Sequence, residues 1–161
     1  MTTDSISADD WRRVKELTAE IVTLSGEDRY EASDQATHAL LDLLVVLQDK
    51  YGPLPSLLAM RADYVYSVEE RETLLQAAHR EAVLRADVRN QAWVAYALAA
   101  HYLDAVRSDT QGEPWLAIAE QSLRQFDDEQ VAEELARLRG MLNARQRRQM
   151  RQERRGRRTR G

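Results

Sequence analysis

Apolar side chains recur at intervals of three and four residues through most of this chain, and that interval places them on one face of an α-helix. The first such run is Trp11, Val14, Leu17, Ile21 and Leu24. No segment alternates apolar and polar residues in the β-branched pattern of a strand. The spacing therefore predicts an all-α fold of about seven helices, packed as stacked antiparallel hairpins in a solenoid or an irregular bundle.

Capping residues mark the ends of the predicted helices. Ser7 and Ser67 each stand three residues before an acidic residue, as in an N-terminal capping box. Gly26 and Gly52 are predicted to end the first two helices, because glycine accepts the positive φ of a C-terminal cap. The segment Ser108–Glu113 is predicted to be a polar loop. The remaining predicted starts are Asp28 or Ser33, Pro55, Asp87 or Asn90, Pro114, and Asp127 or Asp128.

The second helix is predicted to run to Tyr51 and to bury one apolar stripe. The stripe consists of Ala36, Leu40, Leu43 and Leu47, widened by Ala39 and Val46. Asp42 lies off this face, so its side chain is expected to contribute little to stability.

A short pattern recurs within the stretch from Leu54 to Phe126. Residues 59–65 (Ala-Met-Arg-Ala-Asp-Tyr-Val) and residues 97–103 (Ala-Leu-Ala-Ala-His-Tyr-Leu) share two alanines and a tyrosine at an offset of 38 residues. Each copy lies on the first helix of a predicted hairpin. The recurrence predicts two helical hairpins in tandem at the centre of the chain.

Paired, alanine-rich helices with a period in the thirties, and a tyrosine late in each first helix, resemble the tetratricopeptide-type helical repeat. The resemblance covers about residues 54–126, which is under half of the chain. It implies a binding scaffold with a concave face, and it transfers no specific ligand residue. A nonrepetitive helical bundle, in which the two hairpins are alike by chance, is the alternative.

The candidate partner-binding residues lie on the first helices of the two hairpins. They are Tyr64, Trp93, Tyr96 and Tyr102, with Asp63 and His101 as polar neighbours. Tyrosine and tryptophan are favoured at recognition sites because they combine a large rigid surface with a polar group. In a tetratricopeptide-type solenoid these helices would line the concave face. In a bundle the same aromatic side chains would belong to the core and its rim.

The sequence contains no motif for catalysis. It has no cysteine, which excludes disulfides and thiolate ligands, and its six glycines are isolated rather than grouped in a phosphate-binding loop. Asp34, His38 and Asp42 share one helix face, but one helix supplies too few ligands for a closed metal site. We therefore expect a protein that is not an enzyme and has no cofactor and no metal site.

Charge is unevenly distributed along the chain. The last 17 residues contain nine arginines and one glutamate, whereas the whole chain has a net charge of −4. Arginine suits bidentate phosphate contacts, so this tail is a candidate polyanion-binding segment. The alternative is a solubilising tail that folds back on the acidic body. The tail arginines are Arg145, Arg147, Arg148, Arg151, Arg154, Arg155, Arg157, Arg158 and Arg160.

These patterns predict a flexible N-terminus over residues 1–6, a helical domain over 7–142 and an Arg-rich tail, disordered or helical, over 143–161. The N-terminus has no secretory signal and no apolar run is long enough to span a bilayer, so a cytoplasmic protein without membrane contact is expected. The expected function is a non-catalytic protein-interaction module, such as an adaptor, a chaperone or a stoichiometric, immunity-type inhibitor. The alternative is a protein that associates with RNA or DNA through its tail. The protein partner and the oligomeric state are left open.

Overall fold

The computed structural model describes residues 5–158, the last six of them by backbone alone. Over that range the chain forms seven α-helices and no β-strand, as predicted. A π-helical turn at His101–Ala105 directly follows the fifth helix. The helices are α1 (Ala8–Gly26), α2 (Tyr30–Tyr51), α3 (Pro55–Tyr64), α4 (Val68–Leu84), α5 (Val88–Ala100), α6 (Asp109–Leu123) and α7 (Glu129–Arg158).

The chain divides into two compact units, Met1–Asn90 and Gln91–Gly161. In the first unit α1 packs against α2 and α3 packs against α4, and α2 also contacts α3. In the second unit α6 packs against α7 and against the π-helical turn. The helices therefore form sequential antiparallel pairs, as predicted. None of the described helices is long and apolar enough to cross a membrane.

The buried face of α2 is rotated about the helix axis relative to the predicted face. Leu44 is fully buried, whereas Leu43 is only half-buried, and Val46 is 60% exposed. Ala39 is also exposed. Because α2 packs against both α1 and α3, the two neighbours together select a face that apolar periodicity alone does not. The buried residues of α2 are Ser33, Ala36, Thr37, Leu40, Leu44 and Leu47.

The core of the first unit includes a residue that precedes the predicted helical domain. Ile6, which was expected to belong to the flexible residues 1–6, is 6% exposed and joins the core cluster that also contains Trp11. Ser7 caps α1 by accepting a hydrogen bond from the Asp10 amide, as predicted. An apolar residue before the cap that packs with one four positions into the helix forms a hydrophobic staple. Ile6 and Trp11 occupy these two positions.

Some helix ends differ from those predicted. Gly26 is the last residue of α1, and the positive φ of 57° belongs to Asp28. Neither Asp28 nor Ser33 caps α2, which starts after Arg29 without a side-chain cap. Asp tolerates the left-handed conformation because its short side chain can bond locally, and Asp28 accepts a bond from the Tyr30 hydroxyl at 2.6 Å. Gly52 has the predicted positive φ, at 84°.

The sixth helix starts earlier than predicted. Ser108 caps it by accepting from the Gln111 amide, so the segment predicted as a polar loop forms the first turn and a half of α6. Pro114 is inside the helix rather than at its start. The proline removes one hydrogen bond to the Thr110 carbonyl, but Thr110 is exposed, so water can replace the lost donor.

A charged network joins the first turn of α1 to the last turn of α2. The Lys50 ammonium donates to Asp10 Oδ2 at 2.7 Å, and the Tyr51 hydroxyl donates to the same oxygen at 2.6 Å. The Ser7 amide in turn donates to the Tyr51 hydroxyl at 3.2 Å. These bonds, first the one from Lys50 and then the one from Tyr51, lower the pKa of Asp10 to about 2.

This network predicts a loss of stability in acid. The folded-state pKa of Asp10 lies below its ordinary value of 3.8, so its contribution is present above that value and is lost as pH falls toward 2. We expect Asp10→Asn to lower the urea midpoint at pH 6 and to match the parent protein near pH 2. Asp9→Asn is the control, because Asp9 shares the first turn of α1 but its side chain is 80% exposed. If both variants show the same pH dependence, the helix terminus rather than the network is responsible.

Candidate functional site

The first unit contains a surface groove of about 380 Å³ between α2 and the α3–α4 turn. One wall is a single face of α2, formed by residues spaced three and four apart. The other wall comes from the end of α3, the turn that follows it and the first turn of α4. The lining residues are His38, Leu41, Asp42, Val45, Arg61, Val65, Tyr66, Ser67 and Glu70.

Apolar groups in the groove remain open to solvent. The exposed fractions of Val45 and Tyr66 are 42% and 72%, and Leu41 and Val65 are half-buried. Apolar side chains that cluster in a concavity with a polar rim are typical of binding sites for other proteins. Val45 and Tyr66 are too exposed to contribute much to the core, so folding does not account for their presence in the cluster.

Hydrogen bonds fix the polar rim of the groove. The Tyr66 hydroxyl donates to Asp34 Oδ1 at 2.8 Å, which ties the α3–α4 turn to α2. Arg61 donates to Gln48 Oε1 at 2.8 Å and lies 3.8 Å from the Glu70 carboxylate. Asp42 and Glu70 are exposed beside the apolar floor. Together with Arg61 they give the lining side chains a net charge of −1, with His38 counted as neutral. The groove is therefore preformed, and its rim favours positively charged ligands.

The stripe of Asp34, His38 and Asp42 has other roles in this structure. Asp34 accepts from Tyr66, and the His38 Nδ1 donates to the Asp34 backbone carbonyl at 2.7 Å. Among the described residues no three His, Asp or Glu side chains are grouped so that they could hold a metal ion. His38 and Asp42 instead belong to the wall of the groove.

The candidate residues on α3 lie next to this groove but do not line it. Tyr64 is half-buried and packs against the core of the first unit. Asp63 is exposed, and its carboxylate lies 3.7 Å from Arg71. Tyr66, two residues further on, has its ring at the surface, because the helix ends at Tyr64 and the chain changes direction there.

The four other aromatic and polar candidates belong to the second unit. Trp93 and Tyr96 are half-buried against its core and meet edge to face, with ring centroids 6.1 Å apart. The Tyr96 hydroxyl donates to Glu134 at 3.0 Å, and burial together with this carboxylate raises the pKa of Tyr96. His101 and Tyr102 are only 2% and 4% exposed, so their side chains are not available to a partner in this structure.

The first tail arginine is part of the second unit rather than of a free tail. Arg145 Nη1 donates to the Leu103 carbonyl at 2.8 Å and to Asp109 Oδ1 at 3.2 Å. Its Nη2 lies 3.7 Å from Asp104. These contacts join α7 to the π-helical turn and to the start of α6. The side chain is 25% exposed, so the guanidinium of Arg145 is already engaged within the second unit, and its predicted contact with a polyanion stays a prediction.

The tail itself is helical as far as the structure describes it. Helix α7 runs without interruption through the predicted boundary at residue 142 to Arg158. The side chains of Arg147, Arg148 and Arg151 are exposed and make no ion pair with any residue whose side chain is described. Arg154, Arg155, Arg157 and Arg158 lie on the same helix, but their side chains, like the whole of Arg160, fall outside the described part of the chain.

No protein-family model, curated protein or solved structure matches this chain. The tetratricopeptide resemblance and the roles of the candidate residues therefore remain predictions. The sequence analysis did not select Leu41, Val45, Val65 and Tyr66, although a pattern on α2 could have identified the first two. Leu41 and Val45 are apolar, four residues apart, and lie beside the buried stripe.

Proposed function

We propose that this protein is a non-catalytic interaction module, acting as an adaptor, a chaperone or a stoichiometric inhibitor. Its groove between α2 and the α3–α4 turn binds a segment of a partner protein that combines an apolar anchor with basic side chains. The observation that carries this proposal is the cluster of exposed apolar groups, Val45 and Tyr66 above all, in a preformed concavity.

The size and the charge of the groove support this kind of ligand. A volume of about 380 Å³ accommodates a few side chains of a partner, but not a folded helical domain. Asp42 can pair with a lysine or an arginine on the partner. The first unit as a whole, Met1–Asn90, contains 17 acidic and 10 basic residues, and this excess of negative charge would attract a basic segment over a distance.

A peptide-display selection on the full-length protein tests the proposal. We expect the enriched peptides to contain a large apolar residue next to lysine or arginine. Val45→Glu should weaken their binding at least tenfold, because it places a charge on the apolar floor of the groove. The substitution should leave the melting temperature nearly unchanged, since Val45 is 42% exposed on a helix surface.

Val22→Glu is the matched control for this experiment. Val22 is on α1 in the same unit, is 69% exposed and does not line the groove. The control variant should bind the selected peptides as the parent protein does. If no peptide is enriched, or if Val45→Glu and Val22→Glu bind equally well, the groove is not the binding site.

A further inference from the structure

We infer that the C-terminal half of α7 is a preformed basic helix that binds the phosphate backbone of double-stranded DNA without sequence preference. This surface lies in the second unit and does not depend on the groove proposed above. Leu142 is the last fully buried residue of α7, yet the helix continues for 16 residues to Arg158. At a rise of about 1.5 Å per residue, that extension is about 24 Å long.

Contacts at its base hold the extension in place. The side chain of Arg145 reaches the Leu103 carbonyl and the Asp109 carboxylate, and both bonds are within the second unit. This is three residues beyond the last buried leucine, so the start of the extension is fixed by polar contacts after the apolar ones have ended. A helix that is already formed loses less conformational entropy on binding than a disordered basic tail would.

Six of the eight arginines between residues 143 and 158 share one side of the helix, and the other two, Arg145 and Arg157, do not. At about 100° per residue, positions 147, 148, 151, 154, 155 and 158 fall within about one third of the circumference. All six are arginine. The buried residues of α7, which are Val131, Leu135, Leu138 and Leu142, occupy the opposite side. The arginines of this side whose side chains are described, Arg147, Arg148 and Arg151, are exposed, and their positions on the helix are opposite its buried residues.

The chemistry of the extension selects duplex nucleic acid over other polyanions. A helix that lies on an anionic membrane needs an apolar face, and the positions opposite this basic side, which include Gln146, Gln149, Glu153, Gly156 and Arg157, form none. Proteins that bind single strands stack the bases on aromatic rings, and no aromatic residue follows Phe126. What remains is contact with phosphates along a double helix.

The shape of the ligand favours DNA over RNA. The major groove of B-form DNA is about 12 Å wide and admits an α-helix, whereas the A-form major groove of RNA is deep and narrow. Arginine donors at successive helix turns can reach phosphates on both sides of the wide groove. With no aromatic or amide pattern directed at the bases, these contacts position the helix without reading the sequence.

Fluorescence anisotropy with a labelled 20-base-pair DNA duplex of mixed sequence tests this inference on the full-length protein. We expect the logarithm of the binding constant to fall linearly with the logarithm of the salt concentration. The triple variant R147Q/R148Q/R151Q should bind at least tenfold more weakly and should lower the salt slope by about three, which is one for each lost phosphate contact. The variant R12Q/R13Q/R29Q removes the same charge from exposed arginines of the first unit and should bind as the parent does.

A second variant separates the helix face from net charge alone. Exchanging Arg148 with Gln149 and Arg151 with Gln152 keeps the composition but moves two arginines off the shared side. We expect several-fold weaker binding, with helix content by circular dichroism unchanged. Equal affinity of this variant and the parent would overturn the inference. So would tighter binding of an RNA duplex, of a single strand or of phosphatidylserine vesicles, or an absence of DNA binding at low salt.

Discussion

Gly112→Ala is expected to destabilise the protein by about 1–3 kcal/mol, the range for overpacking a close contact. The same substitution inside a helix ordinarily stabilises by about 0.5–1 kcal/mol, so the expected sign is reversed. The cause is the packing of α6 against the π-helical turn. A Cβ atom on Gly112 would lie 2.6 Å from Leu103 Cγ and 2.7 Å from its Cδ2. Leu103 is fully buried, so moving it away from the added Cβ would disturb the surrounding core.

Gly140→Ala is the matched control for this prediction. Gly140 lies inside α7 in the same unit, and nothing stands within 4 Å of the Cβ that the substitution would add. We expect this variant to be more stable than the parent by up to about 1 kcal/mol. Urea unfolding followed by far-ultraviolet circular dichroism measures both. Equal stability of the two variants would show that Gly112 of α6 does not lie this close to Leu103.

Leu44→Ala is expected to destabilise the first unit by about 2–5 kcal/mol, the usual range for emptying a fully buried leucine site. Leu44 has no exposed surface and belongs to the core cluster shared by α1, α2 and α3. The urea midpoint should therefore fall markedly.

Leu43→Ala is the matched control, since it deletes the same atoms from the adjacent residue. Leu43 is only half-buried, so its replacement should cost clearly less than that of Leu44. The order of these two variants tests the rotation of α2 about its axis. If Leu43→Ala is the more damaging, α2 turns a different face to the core, and Leu41 and Val45 no longer line a surface groove.

The rotation of α2 links stability to the proposed function. When Leu40, Leu44 and Leu47 face inward, Leu41 and Val45 are carried to the edge of the buried stripe. There they meet the α3–α4 turn, whose Tyr66 is bonded to Asp34. The most apolar face of α2 is thus buried against α1 and α3, and the groove forms beside that face. The remaining apolar strip on α2, formed by Leu41 and Val45, is the surface to which we propose that the partner binds.

The sequence by itself determined the features that depend on neighbouring residues. The class of the fold and the number of helices follow from apolar spacing. The caps at Ser7 and Ser67 follow from bonds that close within three residues of the cap. The positive φ at Gly52 was likewise predictable from the sequence, because it depends only on the local backbone conformation. Each of these interactions has a short range in sequence and leaves a recognisable pattern of residues.

Only the tertiary structure decided the features that join distant segments. Periodicity proposed Leu43 and Leu47 for the buried stripe of α2, but packing against α1 and α3 selected Leu44 instead of Leu43. Arg145 donates to a carbonyl 42 residues earlier, so a run of arginines could not reveal that its first member makes contacts within the second unit. Val45 and Tyr66 form one groove although a helix and a turn separate them. Such contacts arise from the packing of whole helices, which no short stretch of sequence encodes.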